Sequence, residues 1–425
     1  MEHGAAPLSA FDLAAIVTVA AAVLGWFNYH VLKLPNVIGL TVLGAVVSAL
    51  LLLGNALIPG LSMDDSVRDL LTRMNFSDTL LQGMLSFLLF AGALHVDLKA
   101  LRSQWIYVLL LSTVGVVIST LLVGLALYGI VLLLGIELPI IWCFVFGALI
   151  APTDPVSVLG IMKQMSVEPK LQATVTGESL FNDGVGIVVF TILLGAAVSG
   201  ADFSIAHGAE LFVIEAGGGL LVGLVAGVAA FLAMRSMDDY PVEVLISLAV
   251  VMGSYALCTR LHISGPLAMA VAGLLIGNQG TMHAMSDTTR DYLIKFWEVV
   301  DELLNSALFL LIGLEVIAIV PAWSQLWVAI AAIPITLLAR AIAVRLSLSV
   351  INLHTADGTG PSQRVLIWGG LRGGISIALV LTLPPGPVRD LLLAATFAAV
   401  LFSVLVQHAT LGPVIERAQR DVPNP

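Results

Sequence analysis

Between Trp105 and Leu134 the chain reads WIYVLLLSTVGVVISTLLVGLALYGIVLLL, with no charged residue in it. A hydrocarbon core about 30 Å thick is crossed by about 20 helical residues, so this stretch is long enough to span a membrane. Similar apolar windows recur at 10–28, 34–54, 79–96, 139–158, 173–199, 208–234, 242–259, 264–279, 293–319, 323–350, 364–383 and 388–414, which makes thirteen predicted spans. Windows five, nine and twelve are the most interrupted by Gly, Pro or charge. Charged residues are 11% of the 425 and the mean hydropathy is +1.04, whereas a soluble domain carries about 25%. The deficit runs the whole length, so an all-α polytopic membrane protein is expected. Strand-length alternation is absent, which argues against a barrel; helices satisfy their own backbone groups in lipid.

Several function classes drop out. No P-loop, CxxC or HExxH occurs, so neither ATP drive nor structural zinc has support, and no cofactor is expected. A net charge of −10 suggests no nucleic-acid partner. Cys143 and Cys258 lie inside apolar runs and read as small core residues. Glu2 and His3 stand where a cleaved signal peptide would be basic, so the first window is expected to remain as a helix.

An odd span count puts the termini on opposite sides of the membrane. With the N-terminus outside, thirteen Lys/Arg are assigned to the inner segments, Arg340 counted among them, four to the outer segments, and Arg372 to a span. The positive-inside rule then makes the C-terminus cytoplasmic. The longest polar segment, 60–78, is outside and too short for a domain, so residues 1–425 read as one transmembrane domain without a soluble module.

Ionisable residues inside spans are functional candidates because retaining them in lipid is costly. ALIAPTDPVSVLG (148–160) has Pro152 and Pro155 around Thr153 and Asp154. Each proline lacks an N–H and disfavours helix before it, so the helix should unwind there and expose backbone groups of the kind with which broken transporter helices bind ions. GESLFNDG (177–184) puts Ser179 and Asp183 on one helical face, with Glu178 and Asn182 on the adjacent one. WGGLRGGISIALVLTLP (368–384) surrounds Arg372 with four glycines, which permit a break or close approach. A buried arginine needs a carboxylate partner: Glu178 is the first candidate and Asp154 the second. Such a pair would fix a helix break and leave the remaining aspartate free to titrate.

APTDP, GESLFNDG and WGGLRGG, in this order and spacing, resemble the NhaP-type Na⁺/H⁺ antiporters of the monovalent cation:proton antiporter superfamily. HISGPLAMAVAGLLIG (262–277) and LLNSALFLLIGLEV (303–316) also look like that family's later helices. The resemblance implies thirteen helices with inverted repeats and two crossed discontinuous helices. It implies a core bundle, about 79–199 and 293–383, with dimerisation helices from the remainder, and homodimers in the cell membrane serving pH homeostasis. It implies that Asp183 is the cation- and proton-binding carboxylate, with Thr153, Asp154 and Ser179 completing a Na⁺ site. Asn182 resembles the Asn-Asp pair of electroneutral exchangers, and Glu178 with Arg372 matches the family's structural ion pair. One departure is LLFAGAL, where relatives often read LLFEGAL, so Ala91 replaces an acidic residue. His95, one turn on, and Asp97 read as a cytoplasmic helix end; a pH-responsive role for His95 is the sharper alternative. Glu298, Asp301, Glu302 and Asn305 form an acidic stripe, read as a solvated helix end or as a funnel that concentrates cations.

The expected mechanism is competition at one carboxylate. A poorly hydrated cavity disfavours the charged form of Asp183, so it holds a proton or a hard cation bound by oxygen ligands. If only loaded forms cross, exchange is one-for-one. Na⁺, with Li⁺ as a second cargo, is the expected cation; a K⁺/H⁺ antiporter of the same fold is the alternative. An intramembrane diaspartyl enzyme on Asp154 and Asp183, or a cation channel, is the rival from another class. FNDG lacks that enzyme's Gly-x-Gly-Asp element, and a broken helix suits occlusion better than a pore.

Overall fold

Each of the thirteen apolar windows contains helix among its described residues, and no strand occurs among the described residues. The computed structural model describes residues 10–57, 84–165, 167–200, 204–280, 285–314, 323–352 and 362–420. The polar segment 60–78, Glu2, His3 and the last two residues of LLNSALFLLIGLEV lie outside these.

Among the described residues, seven helices are long and apolar enough to cross a membrane: Ala14–Leu32, Trp105–Leu133, Pro169–Ser199, Ile205–Arg235, Tyr240–Leu261, Gln325–Val350 and Pro387–Arg420. At about 1.5 Å per residue, the 31-residue Pro169–Ser199 helix exceeds the hydrocarbon thickness. Several helix starts carry side-chain caps. Asp97 accepts from the Lys99 and Ala100 amides (2.7 and 3.3 Å), and Asp239 and Ser264 accept from Val242 and Leu267 (both 3.3 Å), pairing donors that a helix start leaves open.

Two compact units are distinguished. The first comprises residues 1–83 and 302–320. There the Asn36–Leu57 helix meets the end of the Asp287–Leu314 helix at Gly44 and Gly313, where a Cβ on Gly44 would lie 2.8 Å from Leu310 O. Only glycine allows that approach, and Ser48 Oγ donates to Leu314 O (3.1 Å).

The second unit comprises residues 84–301 and 321–425 and contains both interrupted helices. Ile140–Leu149 ends before a non-helical strand, 151–154, and helix resumes as Pro155–Gln164. Likewise Gln363–Trp368 and Gly374–Leu381 flank a non-helical stretch near 370–373. No half-helix exceeds ten residues, about 15 Å of rise, so each pair makes one crossing. Window nine is interrupted differently: Gly265–Leu275 passes into a π-turn, Ile276–Gly280, where Asn278 donates to Val96 O (2.8 Å) and accepts from Leu98 N–H (2.8 Å).

Candidate cation and proton site

The two unwound strands lie against each other. Asp154 N–H donates to Leu371 O (2.8 Å), and Arg372 Nη1 donates to Pro152 O (3.1 Å) and to Ala151 O. Gly373 makes the crossing close: a Cβ there would sit 2.9 Å from Asp154 Cβ and 3.3 Å from its Oδ2.

The Pro169–Ser199 helix passes this crossing and supplies most of the polar side chains. Asn182 uses both ends of its amide on one residue: Oδ1 accepts from Thr153 N–H (3.2 Å) and Nδ2 donates to Thr153 Oγ1 (2.8 Å). The Thr153 and Ser179 hydroxyls are 2.9 Å apart and share a hydrogen bond. Thr153, Ser179, Asn182 and Asp183 are all buried, Asp183 to 1% exposure, while Asp154 is half-buried. Asp183 Oδ1 accepts no hydrogen bond among the described residues; its charged neighbours are Asp154 and Arg372. The structure thus gathers Thr153, Asp154, Ser179, Asn182 and Asp183 at one break, and offers a cation two carboxylates and two hydroxyls. A hard monovalent ion takes oxygen ligands of this kind.

The ion pair is not the expected one. Glu178 pairs with Arg340, not with Arg372: Nη2 meets Oε2 at 2.8 Å and Nη1 meets Oε1. Arg340 Nε and Nη2 also donate to Leu366 O (3.2 and 2.8 Å). The reason lies in the helix ends. A helix C-terminus leaves carbonyls without intrahelical partners, and each break creates one such end inside the protein. Arg372 is spent on the carbonyls at the end of Ile140–Leu149. Arg340 takes a carbonyl at the end of Gln363–Trp368 and still reaches Glu178 with a bidentate fork.

Arg340 escaped the sequence reading because it was counted as an inner-segment charge. It sits inside the 30-residue Trp323–Asn352 helix and is only 8% exposed. The signal was present: TLLARAIAV holds a lone arginine in an apolar run.

Other candidates fall elsewhere. His95 caps the Leu85–Leu94 helix end and is exposed, and Asp97 caps the next helix, Leu98–Ser103. Ala91 is fully buried. Glu302, exposed, accepts from Asn36 Nδ2 (2.5 Å) within the first unit, and Asp301 is half-buried. None of these side chains hydrogen-bonds to the Thr153–Ser179–Asn182 group.

With two unwound strands crossing beside a buried aspartate, the fold can be set against known proteins. The family described as sodium/hydrogen exchanger, transmembrane, matches residues 18–417. The chain belongs to the sodium/hydrogen exchanger family. The Na⁺/H⁺ antiporter NhaP of Pseudomonas aeruginosa is 43% identical to this exchanger over 415 residues, 96% of either chain. The Na⁺/H⁺ antiporter NhaH of Halobacillus aidingensis is 38% identical over 349 residues, 80% of this chain and 83% of that one. Among solved structures, the sodium proton antiporter MjNhaP1 of Methanocaldococcus jannaschii superposes with a TM-score of 0.73 at 21% identity, over 96% of this exchanger and 98% of that chain. The fold is therefore the NhaP type, an all-α membrane fold with two crossed discontinuous helices. The exchanger is an integral membrane transporter, not an enzyme, which sets aside the diaspartyl alternative.

Proposed function

We propose that the protein exchanges one Na⁺ for one H⁺ across the membrane, the two ions competing for Asp183. One observation carries this reading: Asp183 is buried to 1% exposure with an oxygen that no described group donates to. An ionised carboxylate in that setting is strongly disfavoured unless something neutralises it. Asp154, Ser179 and Thr153 supply further oxygens for a cation, whereas Asn182 serves mainly to pin Thr153.

The surrounding charges support a one-for-one stoichiometry. Glu178 and Arg340 cancel within their own ion pair. Asp183 has Asp154 and Arg372 as its charged neighbours. One Na⁺ or one proton at Asp183 cancels the same single negative charge. Both loaded forms cross a low-dielectric barrier on equal terms, and the empty form does not. The relatives' name, Na⁺/H⁺ antiporter, agrees with Na⁺ as cargo, and Li⁺ suits the same oxygens.

Alternating access would move a core bundle, about 79–199 and 293–383, against dimerisation helices from the remainder, in a homodimer. The N-terminus would face outside and the C-terminus the cytoplasm; single cysteines near either end, labelled from one side, test this. His95, Asp301 and Glu302 are proposed as pH-responsive or entry residues, and Asp301→Asn with Glu302→Gln should lower apparent Na⁺ affinity at low salt if they act so.

The central test uses inverted membrane vesicles carrying an imposed pH gradient. Adding Na⁺ or Li⁺ should dissipate the gradient, and Asp183→Asn should abolish the response at equal protein level. Persistence of the signal in that variant would remove Asp183 from the mechanism.

A further inference from the structure

A broken helix must find partners for backbone groups that an unbroken one pairs internally. Along 366–373 these partners come from several places. Arg340 takes Leu366 O and the Asp154 amide takes Leu371 O (2.8 Å). Leu371 N–H pairs locally with Gly369 O (2.8 Å), and two further groups are met by the last span. Ser403 Oγ accepts from Arg372 N–H (2.8 Å), and Gln407 Nε2 donates to Trp368 O (3.3 Å). One turn further, Thr410 Oγ1 accepts from Trp368 Nε1 (3.0 Å).

Ser403 and Gln407 are buried, at 0% and 2% exposure. They are the two ends of a π-turn, Ser403–Gln407, inserted between Pro387–Phe402 and His408–Arg420 and closed by His408 N–H on Ser403 O. Such turns are rare and occur mostly where a helix must depart from regular geometry at a functional position. Here a serine and a glutamine four residues apart on this turn face the same break.

The last span is also the most enclosed of the seven, with 72% of its apolar window buried against 11–44% for the others. Its Leu411 and Ile415 share one apolar cluster with Val158 and Met162 of the first interrupted helix and with Val365, Leu366 and Leu371 of the second. The helix is thus seated against both breaks, yet none of its hydrogen bonds reaches Asp183, Asp154, Ser179 or Thr153.

We propose that Ser403 and Gln407 are positioning residues of the exchange site. They hold the unwound strand 368–373 in register, so that Arg372 meets the Ala151 and Pro152 carbonyls and Gly373 meets Asp154. Cation affinity then depends on two side chains that never touch the cation. This builds on exchange at Asp183, and the experiment separates the two ideas.

Ser403→Ala, Ser403→Thr, Gln407→Leu and, as control, Thr191→Ala, whose hydroxyl bonds only its own helix, are reconstituted in liposomes at matched protein amounts. Ser403→Ala and Gln407→Leu should raise the KM for Na⁺ about three- to tenfold, the range one buried hydrogen bond carries, with maximal rate changed less than about twofold. Ser403→Thr, which keeps the hydroxyl, and Thr191→Ala should match the parent. Independently of transport, hydrogen exchange at the amides of 369–373 should quicken in Ser403→Ala and not in Ser403→Thr. Unchanged KM in both loss variants, unaltered hydrogen exchange, or a Ser403→Thr protein as impaired as Ser403→Ala would each overturn the proposal. Exchange surviving in Asp183→Asn would overturn the assignment of Asp183, while the amide measurement still decides on the clamp.

Discussion

Glu178 and Asp183 stand five residues apart on one helix, both 1% exposed, in opposite electrostatic circumstances. Glu178 has a guanidinium fork across it, so its charge is balanced within the pair. Removing Arg340 strands that charge in a buried site, and Arg340→Met should destabilise the protein by about 3–5 kcal/mol, the range for breaking one side of a buried pair. Thermal unfolding in detergent measures this. Glu178→Met on top of Arg340→Met should recover part of the loss, because an apolar pair is tolerated better than a lone ion. Equal stability of Arg340→Met and parent would mean that Glu178 is neutralised by other means. Asp183 lacks such a fork. If Na⁺ and H⁺ compete for it, acidification should raise the apparent KM for Na⁺ by about tenfold per pH unit on the acid limb, with maximal rate unchanged. A falling maximal rate at constant KM would point to a separate proton site. At this scale the sequence was half legible. FNDG and the neighbouring Ser179 marked side chains that the structure gathers at the break. The arginine did not follow, because Arg340 was counted with the inner-segment charges, and only the position of each helix end decides which guanidinium reaches Glu178.

The interrupted helices differ in how their breaks are written. The first is dictated by Pro152 and Pro155, and its position was readable around Thr153 and Asp154, inside the observed stretch 151–154. The second is permitted rather than dictated by glycine, and its reason lies across the crossing, in Asp154. Gly373 has φ −130°, a conformation open to any residue, so space alone requires glycine there. Gly373→Ala would push Asp154 away and should raise the KM for Na⁺ severalfold while the fold survives. Gly129→Ala, where a Cβ would meet nothing within 4 Å, should be silent or slightly stabilising, since alanine is the better helix former. If both glycine variants behave alike in the liposome assay, the close approach at Asp154 has no bearing on cation binding. The π-turn at 403–407 had no counterpart in the sequence reading. SVLVQ is apolar enough to pass as ordinary helix, and a Ser and a Gln four residues apart acquire meaning only beside an unwound strand.

Across the whole protein, the balance of buried charge ties the site to the membrane. An ionised Asp183 gives the empty site one negative charge that a single bound cation or proton cancels. A transport cycle whose moving forms are neutral does no work against the membrane potential, so Na⁺/H⁺ exchange in liposomes should run at the same rate with and without an imposed potential. Asn182→Asp alters that balance with little change of shape. The new carboxylate keeps an acceptor for the Thr153 amide and gives up one donor to Thr153 Oγ1, a bond the threonine hydroxyl can restore by donating in the reverse sense. The site then carries −1 even when loaded with one ion. Moving one uncompensated charge across 100 mV involves about 2.3 kcal/mol, ample to change a rate severalfold. The rate of Asn182→Asp should therefore respond to a potassium diffusion potential that leaves the parent indifferent. If the parent itself responds, one of the charges counted as fixed is not fixed, and Arg372, whose hydrogen bonds go to carbonyls rather than to a carboxylate, is the first to test by substitution.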